Sequence, residues 1–456
     1  MELRDKRVLV VGAGMSGMAA CRHLQKKGAK VLLADNKSRK DLLKNKAVAA
    51  FVRKGGELLS DNMMPDQITW ELAVASPGVP LHLPLLNMTR AENIPIIGEI
   101  ELAYQEARAP FIGVTGTNGK TTTTALIGHI LKKCGVDALV GGNIGQALVD
   151  IVGDFRGDYI VAELSSFQLE SCIDFRPRVA VYLNLTPDHL DRHGSMESYG
   201  AAKERIFVNQ EADDIAVLNA DDPLVAAVAG RIKPRRLWFS LHHRPETGIY
   251  LEQDRLIYMA TGEEQYSFAA ADIFIQGRHN LQNAMAAFLV AAAIGLKPEK
   301  IAKAIISFRG VEHRLEYVKE EGGVIYVNDS KGTNPASTFQ AIMAYEQPMI
   351  LLLGGRNKGS DFTELMLLAQ QRVKTAIIYG EAAGELKKAA DSIGYQSYIV
   401  AGGFEDAVAQ ARALAQPGDV VMLSPACASW DSFNDFEQRG KKFKALISQT
   451  GGVNGG

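Results

Sequence analysis

The chain is 456 residues long, room for about three domains of ordinary size. Hydrophobic residues at 47% and charged residues at 22% describe a globular protein, not a disordered or fibrous one. Fifty Lys plus Arg against fifty-two Asp plus Glu leave a formal charge of −2, which argues against a dedicated nucleic-acid binder. The cluster Arg231, Lys233, Arg235, Arg236 has no interleaved aromatics and reads as a solvated face. Cys21, Cys134, Cys172 and Cys427 form no CxxC pair, so they fit a reducing cytoplasm and not a disulfide framework. No apolar run reaches the roughly 18 residues needed to cross a bilayer, so no membrane insertion is expected.

Short β-branched runs alternate with helical stretches along the chain, the pattern of α/β domains with largely parallel sheets. Strands at 8–11, 31–34 and 72–75 form a first block. Gly12-x-Gly14-x-x-Gly17 follows the first strand and Asp35 ends the second, a fingerprint for a diphosphate at a helix N-terminus with an acid placed for ribose or base. NAD satisfies that chemistry, and UDP satisfies it equally. The block ends near Pro95, after a Pro-rich segment.

A strand at 111–114 opens a second block and runs straight into Gly116-Thr117-Asn118-Gly119-Lys120-Thr121-Thr122. Glycines let backbone N–H groups close around polyphosphate oxygens, and the following helix adds partial positive charge. Lys120 is placed to neutralise outer phosphates and the Thr121 hydroxyl to ligate Mg²⁺. The spacing departs from the strict GxxxxGK[ST] form, because Val114 occupies the first glycine position. Further strands are expected at 159–162, 179–183 and 215–218, with an Ala-rich helix near residue 280 closing the block. Glu163 and Asp188-His189 follow strands of this block, where a parallel sheet points its ligands. His189 and His193 stand four apart like a zinc pair, but no Cys or HExxH context accompanies them. Mg²⁺ is the expected ion.

The third block, with strands at 324–327, 349–353, 376–379 and 420–423, carries three polar loops after strands. They are Asp329-Ser330-Lys331-Gly332-Thr333, Gly354-Gly355-Arg356-Asn357-Lys358-Gly359, and Ser424-Pro425-Ala426-Cys427-Ala428-Ser429. Two lysines in one pocket suit a carboxylate-rich substrate and no hydride acceptor in particular. An ATP-driven ligase holding a nucleotide-tagged substrate is thereby favoured over a nucleotide-linked oxidoreductase. A P-loop switch with no bond-forming chemistry is the third option.

GTNGKTTT, ELSSFQLE, NLTPDHLDRHG, GRHNLQN, His313-Arg314, DSKGTNP, LLGGRNKGSDF and SPACASWDSFNDFEQRG together resemble the Mur ligases over nearly the whole chain. GTNGKTT is shared with the other Mur ligases and with folylpolyglutamate synthases, which are the alternatives. DSKGTN, SPACASxDxF and the GxGxSG start resemble the D-glutamate-adding branch. The resemblance implies an α/β protein of three domains: Rossmann-like, P-loop ATPase-type with a parallel or mixed sheet, and Rossmann-like again. Residues 1–95 would bind a UDP-linked substrate, 96–310 ATP and 311–456 the amino acid.

The resemblance also assigns residues. Gly116, Thr117, Asn118, Gly119, Lys120, Thr121 and Thr122 would hold the ATP phosphates, with Asn280 and Asn283 at adenine and His313, Arg314 and Asp329 reaching the nucleotide. Thr121 and Glu163 would ligate one Mg²⁺, His189 and a Lys203 carbamylated by CO₂ a second. Met15, Ser16, Asp35, Asn36, Lys37, Ser76 and Gly78 would form the uridine-diphosphate site, and Asn143 would hold the muramoyl part. Lys331, Thr333, Lys358, Ser429 and Phe436 would form the D-glutamate pocket. The implied reaction joins D-glutamate to UDP-N-acetylmuramoyl-L-alanine through an acyl phosphate in peptidoglycan precursor synthesis, by a cytoplasmic monomer.

Overall fold

Apolar runs of four to six residues make the central strands, and Leu72–Ala75, Phe111–Thr115, Val179–Tyr182, Ile215–Asn219, Met349–Gly354 and Val420–Leu423 are buried end to end, as expected of parallel sheets covered on both faces. The computed structural model describes residues 2–61, 63–143, 146–275, 277–357 and 359–448. Among these the strands form three sheets, of five, nine and six strands. The chain divides into two compact units, Met1–Asp272 with Gln282–Ile306, and Ile273–Leu281 with Ser307–Gly456.

The first unit contains two sheets. The smaller is wholly parallel, in the order Glu57–Leu59, Lys30–Ala34, Arg7–Val11, Leu72–Ala75, Ile96–Gly98. Its order reverses beside Arg7–Val11, and ligands of open α/β sheets bind at such a switch point. The larger sheet is parallel through Ala138–Gly142, Tyr159–Glu163, Phe111–Thr115, Val179–Tyr182, Ile215–Asn219 and Arg235–Ser240. An antiparallel meander, Gly248–Glu252, Arg255–Ala260 and Glu263–Ala269, extends its far edge.

The meander was not foreseen from the sequence. Its hairpin turns use Gln253 and Thr261 in the left-handed region (φ 53° and 50°), the second followed by Gly262, in place of an Asn-Gly turn. Arg235 and Arg236 are exposed, on the strand that leads into it.

Helix Glu99–Glu106 joins the two sheets and is anchored by buried acids. Glu101 accepts the backbone N–H groups of Ile173, Asp174 and Phe175 at 2.8, 3.1 and 3.1 Å. Glu99 accepts one from Val149 at 2.8 Å and leaves its other oxygen without a partner. Burial pushes the Glu99 carboxyl up to about 7. A raised folded value means that the relative stabilisation is complete below the ordinary value of 4.5 and is lost as pH rises through 7. Glu99→Gln removes that slope, on the order of 3 kcal/mol. The mutant's melting temperature relative to the native chain should climb between pH 5 and pH 8. A constant difference across that window would contradict the burial argument.

In the second unit the order is Glu316–Glu321, Val324–Asn328, Val420–Leu423, Met349–Gly354, Val373–Tyr379, Tyr398–Val400. All neighbours are parallel except the first pair, an antiparallel hairpin. The loops after Asn328, Gly354 and Leu423 therefore leave adjacent strands at the same end of the sheet. That common end is where the three polar loops of the sequence lie.

Candidate active site

The glycine-rich loop begins where strand Phe111–Thr115 stops and ends where helix Lys120–Lys133 starts. Gly119 caps that helix at φ +84°, and a Cβ there would come within 2.3 Å of Asn283 Oδ1. Only glycine closes the turn. Asn283 is itself buried and accepts a hydrogen bond from the Thr123 hydroxyl at 3.1 Å, so the loop's helix is pinned to helix Arg278–Ala293. Asn118 is held from the other side: its N–H donates to Asn184 Oδ1 (2.8 Å) and its carbonyl accepts from Asn184 Nδ2 (3.1 Å).

Lys120 Nζ donates to the carbonyls of Gly116 (2.8 Å) and Thr117 (2.7 Å). Lys203 Nζ donates to the same Gly116 oxygen, also at 2.8 Å, and is only 1% exposed. Two lysines thus share one acceptor. Burial, and then the charge of Lys120, push the Lys203 amine well below its usual range, while Asp188 and Glu163 pull weakly the other way. Lys203 Nζ lies 4.6 Å from the Tyr199 ring centroid, and the Tyr199 hydroxyl donates to Thr117 Oγ1 at 3.3 Å.

Glu163 ends its strand 2% exposed. One oxygen accepts from Asn143 Nδ2 at 3.0 Å, and the other is buried without a hydrogen-bond partner. An orphaned carboxylate oxygen beside the buried Thr121 hydroxyl's loop is a donor set for a hard cation. Among the described residues no three His, Cys, Asp or Glu side chains converge as a preformed cage. Mg²⁺ ordinarily uses one or two carboxylates and completes its shell with phosphate and water, so this sparse set fits it. His189 stands half-exposed at φ +51°, its ring 4.9 Å from Phe167 and its Nε2 3.5 Å from Asp188.

At the switch point of the first sheet, Asp35 accepts the N–H groups of Ala13 (2.7 Å) and Lys37 (3.1 Å). The Ser76 hydroxyl donates to the Gly12 carbonyl at 3.0 Å, and a Cβ on Gly17 would fall 1.9 Å from that same oxygen. Met15 is exposed at the start of its helix, and Ser16, Asn36, Lys37 and Gly78 are at least partly exposed beside it. Arg192 Nη2 reaches the Val79 carbonyl at 3.0 Å, tying the loop of Ser76 and Gly78 to the central sheet's side of the unit.

In the second unit Asp329 is buried, accepting from the Ser424 hydroxyl (2.6 Å) and the Leu315 N–H (3.1 Å). Burial raises its carboxyl to about 6 despite those bonds and nearby Arg314. His313 is buried at φ +65°, its Nδ1 accepting from Asn328 Nδ2 at 2.9 Å; its carbonyl accepts from the Lys331 N–H. Lys331 Nζ lies 5.8 Å from the Phe436 ring centroid, and the Thr333 N–H donates to the Lys331 carbonyl. Ser429 is buried, and Asn280 is buried in the segment that groups with this unit. Lys358 lies outside the described residues.

Arg439 was missed by sequence reasoning. It is fully buried and donates to the Ser330 hydroxyl and carbonyl, the Gly354 carbonyl and the Cys427 carbonyl, at 2.9–3.4 Å. One guanidinium thus binds all three strand-end loops. A signal existed: Arg439 falls on the buried stripe Arg439, Gly440, Phe443, Ile447 of its helix, where a charge has no ordinary place.

Three family models match the chain: a Mur ligase MurD-like N-terminal domain over residues 6–98, a Mur ligase middle domain over 114–291, and a Mur ligase glutamate ligase domain over 313–427. The UDP-N-acetylmuramoylalanine–D-glutamate ligase of Pelotomaculum thermopropionicum is 45% identical over 444 residues, covering 97% of each chain. Its counterpart in Clostridioides difficile is 42% identical over 454 residues, covering 98% of this chain and 99% of the other. Among solved structures, the UDP-N-acetylmuramate–alanine ligase of Thermotoga maritima superposes with a TM-score of 0.59 at 19% identity, covering 97% of this chain and 99% of its own. MurF from Acinetobacter baumannii gives a TM-score of 0.60 at 17% identity, over 96% and 93%. Those two speak to the fold alone. With likeness at this level running the length of the sequence, the chain belongs to the Mur ligase family, within its UDP-N-acetylmuramoylalanine–D-glutamate ligase group.

Proposed function

We propose that the chain is an ATP-dependent ligase that joins D-glutamate to UDP-N-acetylmuramoyl-L-alanine, working as a monomer in the cytoplasm. The observation that carries this reading is the constellation of Lys120, Lys203 and Glu163 around the 116–122 loop, in a chain with full-length D-glutamate ligase relatives. No helix among the described residues is long and apolar enough to cross a membrane.

A carboxylate is a poor electrophile, so the alanyl carboxylate oxygen first attacks the γ-phosphorus of ATP and ADP leaves. The acyl phosphate carries a good leaving group. The neutral amine of D-glutamate then adds to its carbonyl carbon, and the tetrahedral intermediate loses phosphate and a proton to give the amide. The first step brings two anions together, and Lys120 is the residue placed to offset that charge. Backbone N–H groups of the loop and the N-terminus of helix Lys120–Lys133 hold the polyphosphate. Thr121 and Glu163 would hold one Mg²⁺; His189 and Lys203, the latter as its carbamate, would hold a second. Mg²⁺ supplies charge neutralisation on the transferring phosphoryl group. Lys331, Thr333, Lys358, Ser429 and Phe436 would form the D-glutamate pocket, with the lysines offsetting its two carboxylates.

Phosphate release with ATP and UDP-N-acetylmuramoyl-L-alanine, adding D-Glu, L-Glu, L-Lys or meso-diaminopimelate in turn, tests the reading. Turnover should require D-Glu. Folylpolyglutamate formation in its place would move the chain to another branch of the superfamily.

The switch-point site takes UDP and not NAD. Titration of the full chain should give saturable binding of the UDP-sugar and none of NAD. Micromolar NAD binding without UDP-sugar binding would reverse the assignment.

A further inference from the structure

Beside the loop lies a side-chain relay the mechanism leaves unused. His193 Nε2 is 2.9 Å from the Ser166 hydroxyl, and its Nδ1 is 3.2 Å from Glu170 Oε1. A carboxylate only accepts, so Nδ1 carries the proton and Nε2 accepts from Ser166. That is the Ser–His–carboxylate order of acyl-transfer enzymes. Yet the His193 side chain and Ser166 are each 2% exposed, so no acyl group reaches the hydroxyl. What the two bonds do is fix a ring. One face of His193 stacks on Phe167 at 5.3 Å and 15°, and Tyr199 packs against it at 5.1 Å. Arg192 covers the Phe167 ring at 4.8 Å.

We propose that His193 is a positioning residue for the acyl-activation site: pinned by Ser166 and Glu170, its ring sets Tyr199, and Tyr199 sets Thr117 and Lys203. The proposal rests on the ligase reading for its kinetic arm. Tyr199 is the shared link, since its hydroxyl bonds the phosphate loop and its ring face underlies the Lys203 amine. Misplacing a reacting group by about 1 Å costs up to ~10²-fold in rate, so loss of the ring should appear in kcat.

The test uses His193→Leu and His193→Phe in the full chain. The Leu variant should lower kcat roughly 10- to 100-fold while the KM for D-Glu stays within about twofold. The Phe variant keeps an aromatic ring against Phe167 and Tyr199 and should recover to within about threefold of native kcat. Ser166→Ala, which removes one of the ring's two bonds and leaves every aromatic in place, should lower kcat a few-fold and carries the test if the Leu variant does not fold. Native kcat in the Leu or Ser166→Ala variant, or a Phe variant as impaired as Leu, would overturn the proposal. Hydrogen exchange over 196–204 gives an arm independent of turnover: faster in the Leu variant, restored in Phe. If the native chain shows no D-Glu-dependent turnover, the ligase reading fails and this arm alone decides the role of His193.

Discussion

Lys203→Ala should lower turnover by roughly 10²–10³-fold, the range expected when one preorganised charge is lost from a phosphoryl-transfer site. Lys120 and Lys203 each donate to the Gly116 carbonyl at 2.8 Å, so two ammonium groups would stand side by side. Like charges that close in a buried site are costly, and the cheaper state has one amine neutral. The buried partner, Lys203, is the one whose proton affinity falls. A neutral amine adds to CO₂: the N–C bond forms, a proton leaves, and a carbamate results. On the proposed carbamylation the position would go from neutral to negative, which would draw it to Lys120 and supply oxygens for a hard cation. Acetate or formate should partly restore the Ala variant by taking up the vacated space. Labelled bicarbonate should give a carbamate ¹³C resonance in the native chain that is missing in Lys203→Ala. Undiminished activity in CO₂-depleted buffer would defeat this account.

The parts of this site legible in the sequence are those built by neighbouring residues. Gly12, Gly17 and Gly119 announce close backbone approach, because a Cβ at each would strike an atom within 2.8 Å. Lys120 follows from a glycine turn between strand and helix, a local arrangement. The burial of Lys203 was not legible, because it depends on Gly116, 87 residues earlier in the chain. Tyr199 reaches Thr117 across 82 positions and Arg439 reaches Ser330 across 109, and no periodicity encodes such pairs. The same reasoning covers the strands. Buried parallel strands are continuous apolar runs and stand out, whereas Glu263–Ala269 has a partly exposed pattern and three leading polar residues, which carry no strand signal. His313 reads as a nucleotide contact by resemblance. In the fold its carbonyl supports the Lys331 turn, and a Cβ on Gly440 would come within 2.3 Å of its Nδ1.

Glu163→Gln separates the cost of a residue from its use. The carboxylate is 2% exposed, and one of its oxygens has no hydrogen-bond partner. Holding a charge in that position destabilises the chain, because a buried ion needs a partner to offset lost hydration. Glutamine keeps the volume and can still accept the Asn143 amide at 3.0 Å, but it carries no charge. The melting temperature should therefore stay level or rise by a few degrees, on the order of 1 kcal/mol of relief. Turnover should fall roughly 10²–10³-fold, since a neutral amide is a weak ligand for a hard cation beside ATP. The Mg²⁺ concentration for half-maximal activity should rise at the same time. Stability up with activity down is the signature of a group kept for chemistry. A variant that loses several degrees of melting temperature along with its activity would show Glu163 to be a structural partner of Asn143 instead, with the cation held elsewhere.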